Sequence, residues 1–308
     1  MLSYIHAYHA GNHADILKHL TISLILEHLC QKEKPFCVID THAGSGIYHL
    51  DDERAKKTGE ASSGIKKIFN IKKDKDKIEC EDFSATFLKT IENLKFFNII
   101  QNFYSHDEYP GSPLIENFFL RKGDEQILSE LHPQAFSELQ NCFFKQKKFC
   151  NENGKIFIEP SLHKRDGYEL LNAITPPKIK RGLCVIDPSF EDTSDFEKCG
   201  RIISKVHKKW STGIIALWYP LVAHRFTEIS MMKEQISASV EATEPKILNI
   251  QMEIKHKEDM KGLASLYGSG MFIVNFPYQL DEQIRRILPK LTNVLGESAN
   301  KWSVEKFP

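Results

Sequence analysis

Neither sign of charge dominates this 308-residue chain: 41 lysines and arginines stand against 41 aspartates and glutamates, with no basic tail. A polyanionic partner would therefore be met by local patches and not by overall charge. No apolar run approaches the roughly 18 residues that a membrane-crossing helix needs, so no membrane partner is expected. The seven cysteines (Cys30, Cys37, Cys80, Cys142, Cys150, Cys184 and Cys199) include no close pair spaced for zinc. An odd count without a signal peptide fits reduced thiols in a cytoplasm, and packing for those inside apolar runs. Internal repeats and low-complexity tails are also missing. What remains is a chain long enough for one large domain or two modest ones.

Short apolar runs separated by helical patterns are what the chain does contain. Seven segments read as strands: Phe36–Asp40, Gln126–Leu131, Lys155–Glu159, Leu183–Asp187, Gly213–Trp218, Ile247–Lys255 and Met271–Phe276. Several suit burial on both faces of a parallel sheet. Helices are expected over His13–Cys30 with Asn12 as its cap, from Ser112-Pro113 with serine as N-cap, and over Pro133–Lys147, Asp195–Lys209 and Leu280–Leu291. The alternation predicts an α/β fold, a seven-stranded doubly wound sheet. Nearly ninety residues separate the first two strands, far more than a crossover needs. The lysine-rich stretch within it, residues 49–98, is read as an inserted helical subdomain. Residues 1–48 and 99–308 then form the main domain, with 1–34 as an N-terminal motif and helix.

Chemistry gathers at the carboxyl ends of the first four strands. The first ends Asp40-Thr41-His42-Ala43-Gly44-Ser45-Gly46, where glycine lets the backbone approach a ligand. The second ends at Glu130-Leu131-His132-Pro133, and an acid there is the usual partner of a ribose diol. Arg165-Asp166-Gly167 follows the third, its acid placed to accept from an adenine amino group. The fourth ends Asp187-Pro188-Ser189-Phe190, a carboxylate, a turn and an aromatic ring suited to an amino group on a flat heteroaromatic. Taken singly, each has a plain reading as a turn or a helix cap. In sequence they favour a nucleoside-bearing cofactor across the sheet edge and a reacting amino group beside Asp187. A nicotinamide site would need a third glycine near His49, and there is none. S-adenosyl-L-methionine fits better. His6, His9 and His13 could approach one another on a turn, but no acid or cysteine completes a metal site with them, and none is expected. Lys66, Lys67, Lys72, Lys73, Lys75 and Lys77, then Lys145, Lys147 and Lys148, then Lys205, Lys208 and Lys209 are the basic runs that could meet phosphate or simply face water.

Met1-Leu2-Ser3-Tyr4, His9-Ala10-Gly11-Asn12-His13-Ala14-Asp15 and Leu17-Lys18-His19 strongly resemble the opening of the ribosomal RNA large subunit methyltransferase J family. So do Asp40–Gly44, Tyr109-Pro110-Gly111-Ser112-Pro113-Leu114-Ile115, Glu130–Pro133 and Ala216-Leu217-Trp218-Tyr219-Pro220, nearly end to end. The resemblance implies a monomeric, Rossmann-like enzyme that methylates N6 of one adenine in 23S ribosomal RNA, protein-free or early in assembly, with S-adenosyl-L-methionine. It implies that His19, His42, Ser112, Glu130, Asp166 and Gly167 line the cofactor site, joined by Gly44 and Asp187. Asp187 is the implied catalytic residue, with Pro188 and Phe190 beside it. By the same resemblance Tyr4 and Lys18 would lie beside the cofactor and target-base pocket. One departure stands out: enzymes of this chemistry generally carry Asp-Pro-Pro and an aromatic, usually tyrosine, where this chain has Ser189 and Phe190. Serine frees a φ angle that proline would fix; phenylalanine keeps the stacking face. The alternatives are a DNA adenine-N6 methyltransferase and a non-catalytic nucleic-acid-binding protein linked to use of external DNA.

Overall fold

The computed structural model describes residues 5–73, 82–240, 244, 246–260 and 266–307. In chain order the elements are α1 (His13–Cys30), β1 (Cys37–Asp40), β2 (Ile47–His49), α2 (Glu53–Thr58), α3 (Glu60–Ser63), α4 (Ile65–Lys73), α5 (Asp82–Glu92) and α6 (Lys95–Tyr104). Then come β3 (Glu108–Pro110), α7 (Ser112–Asn117), β4 (Glu125–Ser129), α8 (Pro133–Glu152), β5 (Ser161–His163), α9 (Gly167–Ile174), β6 (Gly182–Ile186) and α10 (Ser194–Lys209). The last are β7 (Ile214–Val222), α11 (Phe226–Ser237), β8 (Ile247–Glu253), β9 (Leu266–Val274), α12 (Leu280–Leu295) and β10 (Lys301–Phe307).

Eight strands form the main sheet in the order β10-β8-β9-β7-β6-β1-β4-β5. The pairs β5/β4, β4/β1, β1/β6 and β6/β7 are parallel, and β9 runs antiparallel between β7 and β8. Alternation sorts side chains to two layers. Val38, Leu183, Val185 and Ala216 pack with α1, α4–α6 and α12; Ile39, Cys184, Ile186 and Leu217 pack with α9–α11. The α/β doubly wound reading stands, with two corrections. The sheet has eight strands and not seven, because β10 buries little beyond Val304 and carries no apolar run to betray it. The third expected strand, Lys155–Glu159, is instead β5 at Ser161–His163. Ahead of Ser161 the backbone bonds elsewhere: Lys155 N–H donates to Cys150 O, and the Asn117 side chain donates to Ile158 O.

Among the described residues, no helix is long and apolar enough to cross a membrane. Helices α4–α6, from the long interval, bury Ile65, Ile68, Phe87, Ile91, Phe96 and Ile100 in the same core layer as α1 and α12. Helix α1 is buried for most of its length and starts as expected, Asn12 Oδ1 accepting from the Asp15 amide at 3.0 Å. The register of β7 shapes the carboxyl edge of the sheet. Its Leu217 is level with Ile186, the last residue of β6, and β7 then runs on through Val222 beside β9 alone. Above the end of β6 this leaves a ledge.

Candidate active site

Because β1, β4, β5 and β6 are parallel, their carboxyl ends share one edge, and the residues singled out in the sequence collect there. After β1, the Asp40 carboxylate accepts from Ser112 Oγ at 2.6 Å and from the His42 amide at 3.0 Å. Burial still pushes Asp40 up to about 6, against the pull of both bonds. Ser112 is therefore not the expected N-cap. Gly111 holds that position, and the serine hydroxyl is spent on Asp40, which a sequence cannot reveal across 72 residues. Burial pushes His42 down to about 4, so it is neutral at pH 7. Its ring meets the edge of Tyr168 at 5.3 Å.

Gly44 takes φ +62, and a Cβ there would strike the Tyr48 hydroxyl, so only glycine fits comfortably. Its amide donates to Glu130 Oε2 at 2.8 Å, and the His132 amide donates to Oε1 at 2.6 Å. The acid at the tip of β4 is thus locked against the β1 loop, and burial raises its pKa. Asp166 caps α9 through the amides of Tyr168 and Glu169. Gly167 lies so close to β1 that a Cβ would fall 2.2 Å from Thr41 O, a backbone atom. Gly167→Ala is accordingly expected to push α9 off the β1 loop at a cost of about 1–3 kcal/mol, the usual penalty for overpacking. Urea unfolding checks this; unchanged stability would show that the helix moves freely.

The densest part of the site joins α1 to β6. Lys18 Nζ sits 2.5 Å from Asp187 Oδ2 and 2.9 Å from Asp15 Oδ1, all three side chains being at least 84% covered (7%, 16% and 1% exposed). Burial alone would lower the Lys18 ammonium; the two carboxylates outweigh it and hold it well above the ordinary lysine range. Asp15 Oδ2 also accepts from the Gly11 amide and meets His6 Nε2, both at 2.9 Å. Despite its burial, the surrounding His6, Lys18 and His19 hold its pKa well down. His19 Nδ1 pairs with the Tyr109 hydroxyl at 2.9 Å, whereas its Nε2 is buried without a hydrogen-bond partner.

After Asp187 and Pro188 the chain turns sharply. Phe190 takes φ +52, a conformation that costs a bulky residue on the order of 1–3 kcal/mol. Its ring is held against Phe196 at 4.7 Å and Trp218 at 6.0 Å. Ser189 is exposed, its hydroxyl near the Glu191 amide at 3.5 Å.

Tyr4, the other residue placed beside the target base, lies outside the described residues, as do Lys75 and Lys77. His6, His9 and His13 do not converge on a common point through their bonds: His6 pairs with Asp15, His9 with Glu60 at 2.8 Å, and His13 Nε2 has no hydrogen-bond partner. Of the basic runs, Lys147 and Lys148 are tied to Glu159 and Glu152, and Lys209 reaches Asn172 O. Sequence reasoning misses Asp15 and Tyr109, which hold Lys18 and His19. The signal is present: Asp15 and Lys18 share one helix face three residues apart, inside the amino-terminal motif.

The family model described as ribosomal RNA large subunit methyltransferase D, RlmJ, matches residues 33–307. A curated relative from Haemophilus influenzae, named ribosomal RNA large subunit methyltransferase J, is 36% identical over 307 residues, covering 99% of this chain and 98% of its own. One of the same name from Escherichia coli is 35% identical over 316 residues, with 99% of each chain covered. A solved structure from Legionella pneumophila superposes with a TM-score of 0.74 at 27% identity, across 97% of this chain and 98% of that one. Fold, edge geometry and near-complete matches lead to one conclusion: the chain belongs to the ribosomal RNA large subunit methyltransferase D, RlmJ, family.

Proposed function

We propose that this protein methylates the N6 amino group of an adenine in 23S ribosomal RNA, with S-adenosyl-L-methionine as donor. One observation carries the reading: a carboxylate, a proline carbonyl and an aromatic held at positive φ follow β6, beside a glycine loop closed by Glu130. The residues fit the cofactor. His19 Nε2 is a buried atom in want of a partner, and Glu130 and Asp166 stand at adjacent strand ends. Glu130 would take the ribose hydroxyls on the lone pairs its two amide bonds leave free, and Asp166 the adenine amine. His19, His42, Gly44, Ser112 and Gly167 would complete the cradle, Ser112 by fixing Asp40. When bound, S-adenosyl-L-methionine supplies an electrophilic methyl group.

The remaining chemistry belongs to the chain. An adenine amine is a poor nucleophile because its lone pair is delocalised into the ring. Asp187 and the Pro188 carbonyl would each accept one N6–H, favouring a pyramidal nitrogen and stabilising positive charge as it develops. Lys18 occupies Asp187 in this structure. An arriving amine displaces it, and Asp15 keeps the ammonium paired while it yields. Phe190 offers its exposed part as a stacking surface for a base taken out of its helix, since N6 is out of reach inside one. Asp187 need not be a strong base, because the nitrogen becomes acidic once methylated. Residues 49–98 would act as an inserted unit that grips the RNA, with the protein working as a monomer. Labelled cofactor offered with protein-free 23S RNA, assembled ribosomes or duplex DNA tests the substrate. Label in the protein-free RNA is the expected result; label in DNA alone would move the reading to a DNA enzyme.

A further inference from the structure

The motif Ala216–Pro220 has one member that the fold leaves without a task. Tyr219 turns to the α10–α11 layer, where its hydroxyl donates to Asn249 Oδ1 at 2.6 Å. Trp218 turns the other way, toward the layer built by α1. Its indole Nε1 is buried and has no hydrogen-bond partner. Tryptophan N–H groups in protein interiors are normally paired, and an unpaired one costs stability that a phenylalanine of similar packing would not.

Its position supplies the reason. Leu217 is level with Ile186, so the register carried one residue on brings Trp218 level with Asp187, the residue that follows β6. Leu217 and Ile186 both face the α9–α11 layer, and alternation then points Trp218 and Asp187 to the same opposite side. Asp187 meets Lys18 of α1 there. Trp218 is also the first residue of β7 past the end of β6, on the ledge above the site, and its ring lies 6.0 Å from that of Phe190. The ring that carries the unpaired donor therefore lies next to Phe190, on the side of the sheet where Asp187 meets Lys18.

We infer that Trp218 reads the target base: its indole N–H donates to N1 of the adenine whose N6 is held by Asp187 and Pro188. This rests on the N6-methyltransferase reading. An extruded base is recognised on its Watson–Crick edge, and N1 of adenine is an acceptor next to the amino group. The same donor opposes guanine, whose N1 carries a hydrogen. Trp218 is thus a specificity residue, and its donor is paired only when base is bound.

The test uses an RNA fragment that the wild-type protein methylates, prepared with adenine, 1-deazaadenine or 7-deazaadenine at the methylated position. Trp218→Phe keeps a ring and removes the donor. It is expected to slow single-turnover transfer to the adenine fragment about tenfold, the scale of one lost hydrogen bond, with S-adenosylhomocysteine affinity within twofold. On the 1-deaza fragment variant and wild type should be equal. Equal rates on the adenine fragment, or the same loss on both fragments, would overturn the assignment. Wild-type protein alone gives a second reading that no misfolded variant can confuse: 1-deazaadenine should be the poorer substrate, and a greater loss with 7-deazaadenine would assign the donor wrongly. A wild type that methylates no RNA at all would instead refute the proposed function.

Discussion

Asp187→Ala is expected to abolish methyl transfer, with a fall of roughly 10²–10³-fold or more, the scale seen when a preorganised charge-stabilising group is removed. Affinity for S-adenosylhomocysteine should stay within a few fold, because Glu130, Asp166, Gly167 and His19 stand on other elements. The two readouts should separate, because in the proposed mechanism Asp187 faces the point where charge develops at N6. Its loss strands no buried cation, since Lys18 keeps Asp15 at 2.9 Å. Stability should change little for the same reason. Calorimetric titration and single-turnover kinetics on one preparation measure both quantities. Equal loss of binding and transfer would make Asp187 a cofactor anchor and remove it from the chemistry.

Asp15→Ala should be the most damaging single change to the fold. The carboxylate is 1% exposed and serves the Lys18 ammonium, His6 and the Gly11 amide together. Lys18 would still hold Asp187 at 2.5 Å, but the Gly11 amide and His6 would lose their buried acceptor and the ammonium its deeper carboxylate, at about 1–3 kcal/mol for each buried group left without its partner. Urea unfolding should report this as a lower midpoint at unchanged slope; a loss below about 1 kcal/mol would show that water already reaches the pair. The pH dependence comes from the directions of the shifts. Asp15 is held below the unfolded value of about 3.9, so its contribution is complete above that pH and is lost as pH falls through the folded pKa. Lys18 is held above the unfolded value of about 10.4, so its contribution is complete below that pH and fades as pH rises through the folded pKa. Between those limits the pair should stabilise fully. Asp15→Ala should flatten the acid limb of the wild-type stability curve.

Much of the fold is legible in the amino-acid sequence itself. Buried parallel strands announce themselves as apolar runs, which is why β1, β4 and β6 fall close to their expected places with acids and glycines at their carboxyl ends. An edge strand has no such run: β10 is exposed or half-buried at every position but Val304 and stays hidden. Lys155–Glu159 looks like a strand from its apolar residues, but pairing with β4 begins only at Ser161. Long-range bonds are the other blind spot. Lys18 and Asp187 lie 169 residues apart, and Ser112 and Asp40 are 72 apart, so no local pattern ties them. Ser112 before Pro113 has all the marks of a cap, and only tertiary contact reassigns its hydroxyl. Trp218 is visible inside a motif, yet its unpaired donor exists only once β6 and β7 are aligned.

The proposed function requires this edge to deliver a methyl group to an exocyclic amine of adenine. The most direct measurement is the identity of the product: 23S RNA is incubated with the protein and S-adenosyl-L-methionine, digested to nucleosides and resolved by mass and retention. N6-methyladenosine, present with wild-type protein and missing with Asp187→Ala, is the predicted result. A methyl group on a ring nitrogen, a ribose or another base would contradict it, because the proposed mechanism has Asp187 and the Pro188 carbonyl accept two hydrogens of one nitrogen.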